Sequence, residues 1–167
     1  MNANTAVESI GQTMKNTQKL DVESLMTREI YTKIKNTLGR LPAETGGILG
    51  TKDGAIITAY YFDEAANVGS NHYRPNIAKC ERVINEIWHK QDIHFCGFAH
   101  SHYKTPEASR KDIEYFKIIY MHLLETCALY SNDLYMIITS AGNSQQPFRL
   151  NAYSARQLTN CDRPVEV

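Results

Sequence analysis

The chain has 167 residues, 43% of them hydrophobic, with 18 Lys and Arg set against 18 Asp and Glu. That length and apolar content suit one domain with a real core and, with only nine Gly and five Pro, exclude a collagen-like or disordered chain. Zero formal charge gives no electrostatic ground for duplex nucleic acid or an anionic membrane as main partner, and no apolar run approaches the ~18–20 residues of a membrane span.

Residues 1–22 read as a polar extension in which only Val7, Ile10 and Met14 hint at a helical stripe. They lack the apolar core of a secretory signal. From Ser24 onward Leu25, Ile30, Ile34 and Leu38 recur at helical spacing, and Gly39 stands where a C-cap belongs. Pro42 separates this predicted helix from a glycine-rich strand, Glu44 to Gly50. Asp53-Gly54 is a hairpin signal and predicts antiparallel pairing with the run Ala55 to Phe62. Residues 64–75 read as loop, and Ile77 to Lys90 as a helix with Val83, Ile84, Ile87 and Trp88 on its apolar side.

A short buried strand, His94 to His100, comes next. It is followed by a long helix over Glu107 to Glu125 whose core face is Ile113, Phe116, Ile119, Tyr120 and Leu123. Strands at Leu134–Thr139 and Phe148–Tyr153 flank a turn at Gly142–Gln146. The domain is thus expected over residues 23–156, with a polar tail at 157–167. Cys80, Cys96, Cys127 and Cys161 form no CxxC pair, so they read as reduced thiols of a cytoplasmic protein.

The chemistry concentrates in Ala99-His100-Ser101-His102-Tyr103, followed by Ser109-Arg110-Lys111-Asp112. Side chains two apart on a strand share a face, so His100 and His102 can aim both imidazoles at one point. Asp112, in the first turns of the next helix, can be returned to that point by the intervening loop. Two imidazoles and a carboxylate make a three-ligand set for zinc with a fourth position left to water, the arrangement of a catalytic site. Of the remaining histidines, His89 and His122 fall in predicted helices, His72 in a loop, and His94 far up the same strand. A hydrolytic zinc site also needs a base, and Glu44, just ahead of Thr45-Gly46-Gly47, is the best candidate. Small residues there allow another backbone to approach closely.

Glu44-Thr-Gly-Gly-Ile-Leu-Gly, then His-Ser-His, then Ser-x-x-Asp together resemble the JAMM motif of the JAB/MPN metalloproteases, in particular their prokaryotic JAB branch. The similarity spans about Leu25 to Tyr153 in the family's order of elements. The resemblance implies a single α/β domain of the MPN type, cytidine-deaminase-like, with a curved mixed sheet flanked by helices. It implies one zinc per chain held by His100, His102 and Asp112, Glu44 as general base, and Ser109 as a hydroxyl supporting the oxyanion or the water. It also implies hydrolysis of an isopeptide or peptide bond at the C-terminus of a ubiquitin-like protein. Tyr103 stands where the family carries Pro, and the gap from His102 to Ser109 is one residue shorter than the family's. Ser109 is where a misfit from that gap should appear first.

Plainer readings exist beside these. Ser109-x-x-Asp112 is also a helix-start pattern with Ser109 as N-cap, in competition with a start at Thr105-Pro106. Cys96 reads as a buried structural thiol. Two other functions compete with the isopeptidase reading: a non-catalytic MPN scaffold for protein contact, and a zinc hydrolase of another peptide amide.

Overall fold

The computed structural model describes residues 18–39, 44–69, 72–131, 133–143 and 145–160. The expected stripe of Val7, Ile10 and Met14, as well as Pro42 and Cys161, lies outside them. The predicted first helix is two helices, α1 (Val22–Leu25) and α2 (Arg28–Leu38). Thr27 breaks the run by capping the second one, its side chain accepting the Ile30 N–H. Met26, between them, bridges instead to Ile57. Gly39 does occupy the C-cap of α2, in a right-handed conformation.

Strands β1 (Gly46–Thr51) and β2 (Ile57–Phe62) form the expected antiparallel hairpin, with Gly54 in the left-handed region at φ 83°. Where a loop is predicted, two three-residue strands pair, β3 (Asn67–Gly69) and β4 (His72–Arg74). His72 therefore sits on a strand.

The next helix starts at Ile77 as predicted, α3 (Ile77–Arg82), but continues as a π turn over Val83–Trp88 and a 3₁₀ turn over His89–Gln91. Five residues exceed one 3.6-residue α turn. The wider π turn brings Trp88 back beside Val83, and both are buried. Ile87 is left outside, half exposed rather than on the apolar side.

β5 (His94–His102) runs two residues beyond its predicted end and carries the whole His-Ser-His segment. α4 (Arg110–Glu125), β6 (Tyr135–Ser140) and β7 (Arg149–Ser154) follow close to expectation. A last helix, α5 (Ala155–Asn160), stands where the tail is expected, and Leu158 packs on the core.

The result is an α/β fold around one mixed five-stranded sheet of order β2-β1-β5-β6-β7. Only β5 and β6 are parallel, joined by the α4 crossover. One face is covered by α1 and α2, whose Leu25, Ile30, Ile34 and Leu38 meet Leu49, Ala99, Ile137 and Ala152. On the other face Phe116 and Tyr120 of α4 cover Met136, Ile138 and Tyr153, while Val83 and Trp88 cover Ile48 and Ala59. The free thiol of Cys96 is fully buried, and burial pushes its pKa up, in keeping with a structural role. Among the described residues no helix is long and apolar enough to cross a membrane.

Gly46 fixes how tightly this second face is built. A Cβ there would stand 2.5 Å from the Tyr73 ring and 2.6 Å from the Ala99 carbonyl oxygen. The backbone contact cannot move aside cheaply. Gly46→Ala is accordingly expected to lower stability by about 1–3 kcal/mol, the usual cost of overpacking, measured as a lower urea midpoint with unchanged slope.

Candidate metal centre

Register explains why the functional side chains meet. On the α4 side of the sheet Gly46 pairs with His100, so His102 two residues later and Glu44 two residues earlier point the same way. Beyond the end of β1 the pairing is prolonged by Thr45 and Ser101: Ser101 N–H donates to the Thr45 carbonyl at 2.8 Å, and Thr45 N–H to Ser101 Oγ at 2.9 Å. The structure thus brings Glu44 into the cleft that holds His100, His102, Ser109 and Asp112, about 550 Å³ in volume.

Within it His100 Nε2 and His102 Nε2 are 3.0 Å apart. Asp112 Oδ1 lies 3.2 Å from His100 Nε2, and Oδ2 3.1 Å from His102 Nε2. All three side chains are mostly buried, at 17–18% exposure. Among the described residues this is the group of His, Cys, Asp and Glu side chains whose donor atoms converge closely enough to hold a metal ion. His94 has other company, stacked on Tyr130 and 3.2 Å from Asp92.

The electrostatics are those of a tight ion-pair cluster. Burial opposes the charge of Asp112, yet hydrogen bonds from His100 and His102 outweigh it and hold the carboxyl well below the usual carboxylate range. For His102 burial favours the neutral ring, but the Asp112 carboxylate, with the Glu44 charge behind it, raises its pKa overall.

Asp112 reaches the histidines because its helix starts at Ser109. The Ser109 hydroxyl accepts the Asp112 N–H at 3.1 Å, and the Asp112 carboxylate accepts the Ser109 N–H at 2.8 Å, a reciprocal capping box. Thr105-Pro106 is not the helix start. Ser109 thus fills the helix-cap role, with its oxygen turned to the backbone and its side chain still on the cleft wall. Ser109→Ala should therefore cost about 0.5–2 kcal/mol of stability as a lost N-cap, read from thermal unfolding of the metal-free chain.

The short loop before it is held from outside. Lys104 carbonyl accepts from Ser140 Oγ at 3.1 Å and from Arg149 Nη2 at 3.2 Å. Pro106 carbonyl accepts from Asn151 Nδ2 at 3.0 Å and from Tyr153 hydroxyl at 3.3 Å. Four side chains of β6 and β7 thereby set the height at which α4 begins.

Tyr73 is the cleft residue that sequence reasoning missed. Its hydroxyl donates to the buried Asp63 at 3.1 Å, and the same carboxylate oxygen accepts the Asn76 N–H at 2.8 Å. Asp63 N–H in turn donates to the Gly46 carbonyl. That chain of bonds ties the β3–β4 hairpin to the strand next to the histidines. The available signal was the glycine at position 46, which leaves room for a ring but does not say whose.

No family model matches this chain, and no curated protein does. Among solved structures, the solution structure of a Desulfitobacterium hafniense protein is similar in fold, with a TM-score of 0.56 at 18% identity. The match covers 78% of this chain and 82% of that one. At that identity the likeness concerns the arrangement of helices and strands.

Proposed function

We propose that this protein is a zinc-dependent peptidase or isopeptidase of the JAB/MPN type, acting on an amide bond at the C-terminus of a ubiquitin-like protein or on a related peptide. The observation that carries the reading is the arrival of Glu44, from the segment leading into β1 and more than fifty residues away in sequence, in the cleft of the three convergent donors. The Asp112 carboxylate already pairs with both imidazoles, so Glu44 is the acid in that cleft left to act as a base.

The donor set fits zinc. Tetrahedral bonds of ~2.0–2.1 Å put neighbouring ligand atoms about 3.3–3.4 Å apart. The two Nε2 atoms, 3.0 Å apart, reach that value by a shift of a few tenths of an ångström, and Asp112 meets each imidazole through a different oxygen, so that one ligand atom from each residue lies within 4.8 Å of the others. Two nitrogens and one oxygen leave a fourth position for water or substrate.

Zinc would supply Lewis acidity toward the scissile carbonyl and bring the pKa of a water near neutrality. Glu44 then takes the proton of the attacking water on a carboxylate oxygen and delivers it to the departing amine nitrogen. Asp112, locked by the capping box, keeps its carboxylate facing both imidazoles. The Ser109 hydroxyl, whose oxygen accepts the Asp112 N–H, retains its own proton to donate to the oxyanion.

The test is zinc content per chain combined with turnover on ubiquitin-like C-terminal amides and on short peptides. One zinc per chain with cleavage of either substrate class is expected. A metal-free chain that cleaves neither returns the fold to the scaffold reading.

The same centre makes a pH prediction. In the metal-free chain the depressed pKa of Asp112 contributes stability above its unfolded value of about 3.9, and the raised pKa of His102 contributes below about 6.5. The first contribution fades as pH falls through the folded pKa of Asp112, the second as pH rises through that of His102. Zinc binding has the opposite trend on the alkaline side, because it needs neutral imidazoles. The rise in Tm on adding zinc should be larger at pH 8 than at pH 5.5, as thermal scans with and without the metal will show.

A further inference from the structure

A second cavity, about 680 Å³, opens beside the metal cleft and shares His102 with it. Its floor follows from register. His102 pairs with Ser140 across β5 and β6, and Ser140 with Arg149 across β6 and β7. The three therefore form a row on one face, and at a strand spacing of about 4.8 Å Arg149 lies roughly 10 Å from His102. The row stands at the carboxyl ends of the two parallel strands, where open α/β sheets bind ligands.

Among the described residues the cavity lining carries two cations, Lys104 and Arg149, and no acid. Among the described residues neither has a carboxylate within ion-pair distance, although Lys19, Lys33 and Arg110 elsewhere do. Arg149 is also pre-positioned. Its Nη2 donates to the Lys104 carbonyl and, at 3.4 Å, to Gln146 Oε1. Two neutral acceptors fix the plane of the guanidinium without neutralising it, and leave its other N–H groups to a ligand. Such a fork matches a carboxylate, and Lys104 adds a second charge on the same wall.

We infer that this cavity is a substrate subsite that takes a carboxylate flanking the scissile amide, with Arg149 as its anchor and Lys104 as the second cation. The inference rests on the peptidase reading for the position of the amide, while the recognition of the carboxylate stands on the cavity alone. The carboxylate can come from an acidic side chain within a chain or from the free end of a short peptide. Both present a planar anion to a guanidinium whose backbone stands about two strand spacings, roughly 10 Å, from His102, within the span of about three extended residues.

Binding can be read without turnover. The full-length Glu44→Gln chain, labelled with ¹⁵N, would be titrated with four synthetic probes and followed by amide shifts. Two are acetyl-Ala-Ala-Glu-Ala-Ala-amide and its Gln counterpart. The others are acetyl-Ala-Ala-Ala with a free carboxylate and the same peptide amidated. At least one carboxylate probe is expected to bind roughly tenfold more tightly than its neutral partner, as a charge-assisted bidentate contact implies, with shifts centred on residues 102–105, 140–143 and 145–149.

The preference should vanish in Arg149→Gln and fall several-fold in Lys104→Gln, whose backbone contacts are untouched. Arg149→Lys should restore part of it. A preference for the Glu probe assigns the subsite to a side chain, and for the free acid to a chain terminus. Equal binding of acid and amide, no binding of either acid at millimolar concentration, a preference that survives both Gln variants, or competition by inorganic phosphate at equal affinity would overturn the inference. Failure of the wild-type chain to bind zinc or cleave an amide would remove the proposed function and leave this binding result as it stands. Cleavage without carboxylate preference would remove only the subsite.

Discussion

Glu44→Gln is expected to keep one zinc per chain and lose about 10²–10⁴-fold in turnover, the range carried by a positioned general base. The substitution keeps the size of the side chain and removes only its capacity to accept a proton. Its backbone lies outside the hydrogen bonds that join Thr45 to Ser101, so those should persist and with them the register that orients the histidines. Zinc content by mass or absorption spectrometry and kcat on the best substrate of the panel check both halves. A Gln variant with wild-type turnover would mean that a different group takes the proton.

Loss of a ligand should act on the metal first. His100→Ala and Asp112→Ala each leave two donors of three, and stoichiometric zinc should fall to a small fraction of a site per chain. Turnover should fall to background with it. The two variants should nevertheless differ in the metal-free state. Asp112→Ala removes the carboxylate that faces both imidazoles and half of the capping box, so its α4 loses a helix-start bond as well as an ion pair. His100→Ala leaves Asp112 paired with His102 and the cap intact. Metal-free Asp112→Ala should therefore melt below metal-free His100→Ala at pH 6, where His102 carries charge in the folded chain. Near-UV circular dichroism on the same samples separates a local loss from a general one.

Much of this cluster is legible in the sequence. Alternation along one strand is enough to say that His100 and His102 share a face, whereas the Ser109-x-x-Asp112 pattern offered only one of two helix starts, and the structure chose it over Thr105-Pro106. Pairing between distant strands is another matter. That Glu44 stands across from the His102 end of β5, or that Arg149 falls in the same row, depends on strand order and register, and neither leaves a local trace. The 3.6-residue period put Ile87 on the apolar side together with Trp88, and the π turn at Val83–Trp88, which no sequence period announces, buries Trp88 and leaves Ile87 half exposed. The β3–β4 hairpin escaped because three-residue strands rich in polar side chains show no alternation. Thr27 hid the break between α1 and α2 because a capping threonine inside a run of helical spacing looks like one more surface residue.

The loop between His102 and Ser109 has a consequence for the order in which the molecule is made. His100, His102 and Asp112 are all translated before Ser140, Arg149, Asn151 and Tyr153, the side chains that hold that loop at its height. From Asp112 to Tyr153 a ribosome working at ~5–20 residues per second needs about two to eight seconds. During that interval the nascent chain owns every ligand and lacks their spacing. If the three side chains hold a metal, its uptake would follow completion of the sheet, and a chain that stops short of Arg149 would keep all three donors without the contacts that hold their loop.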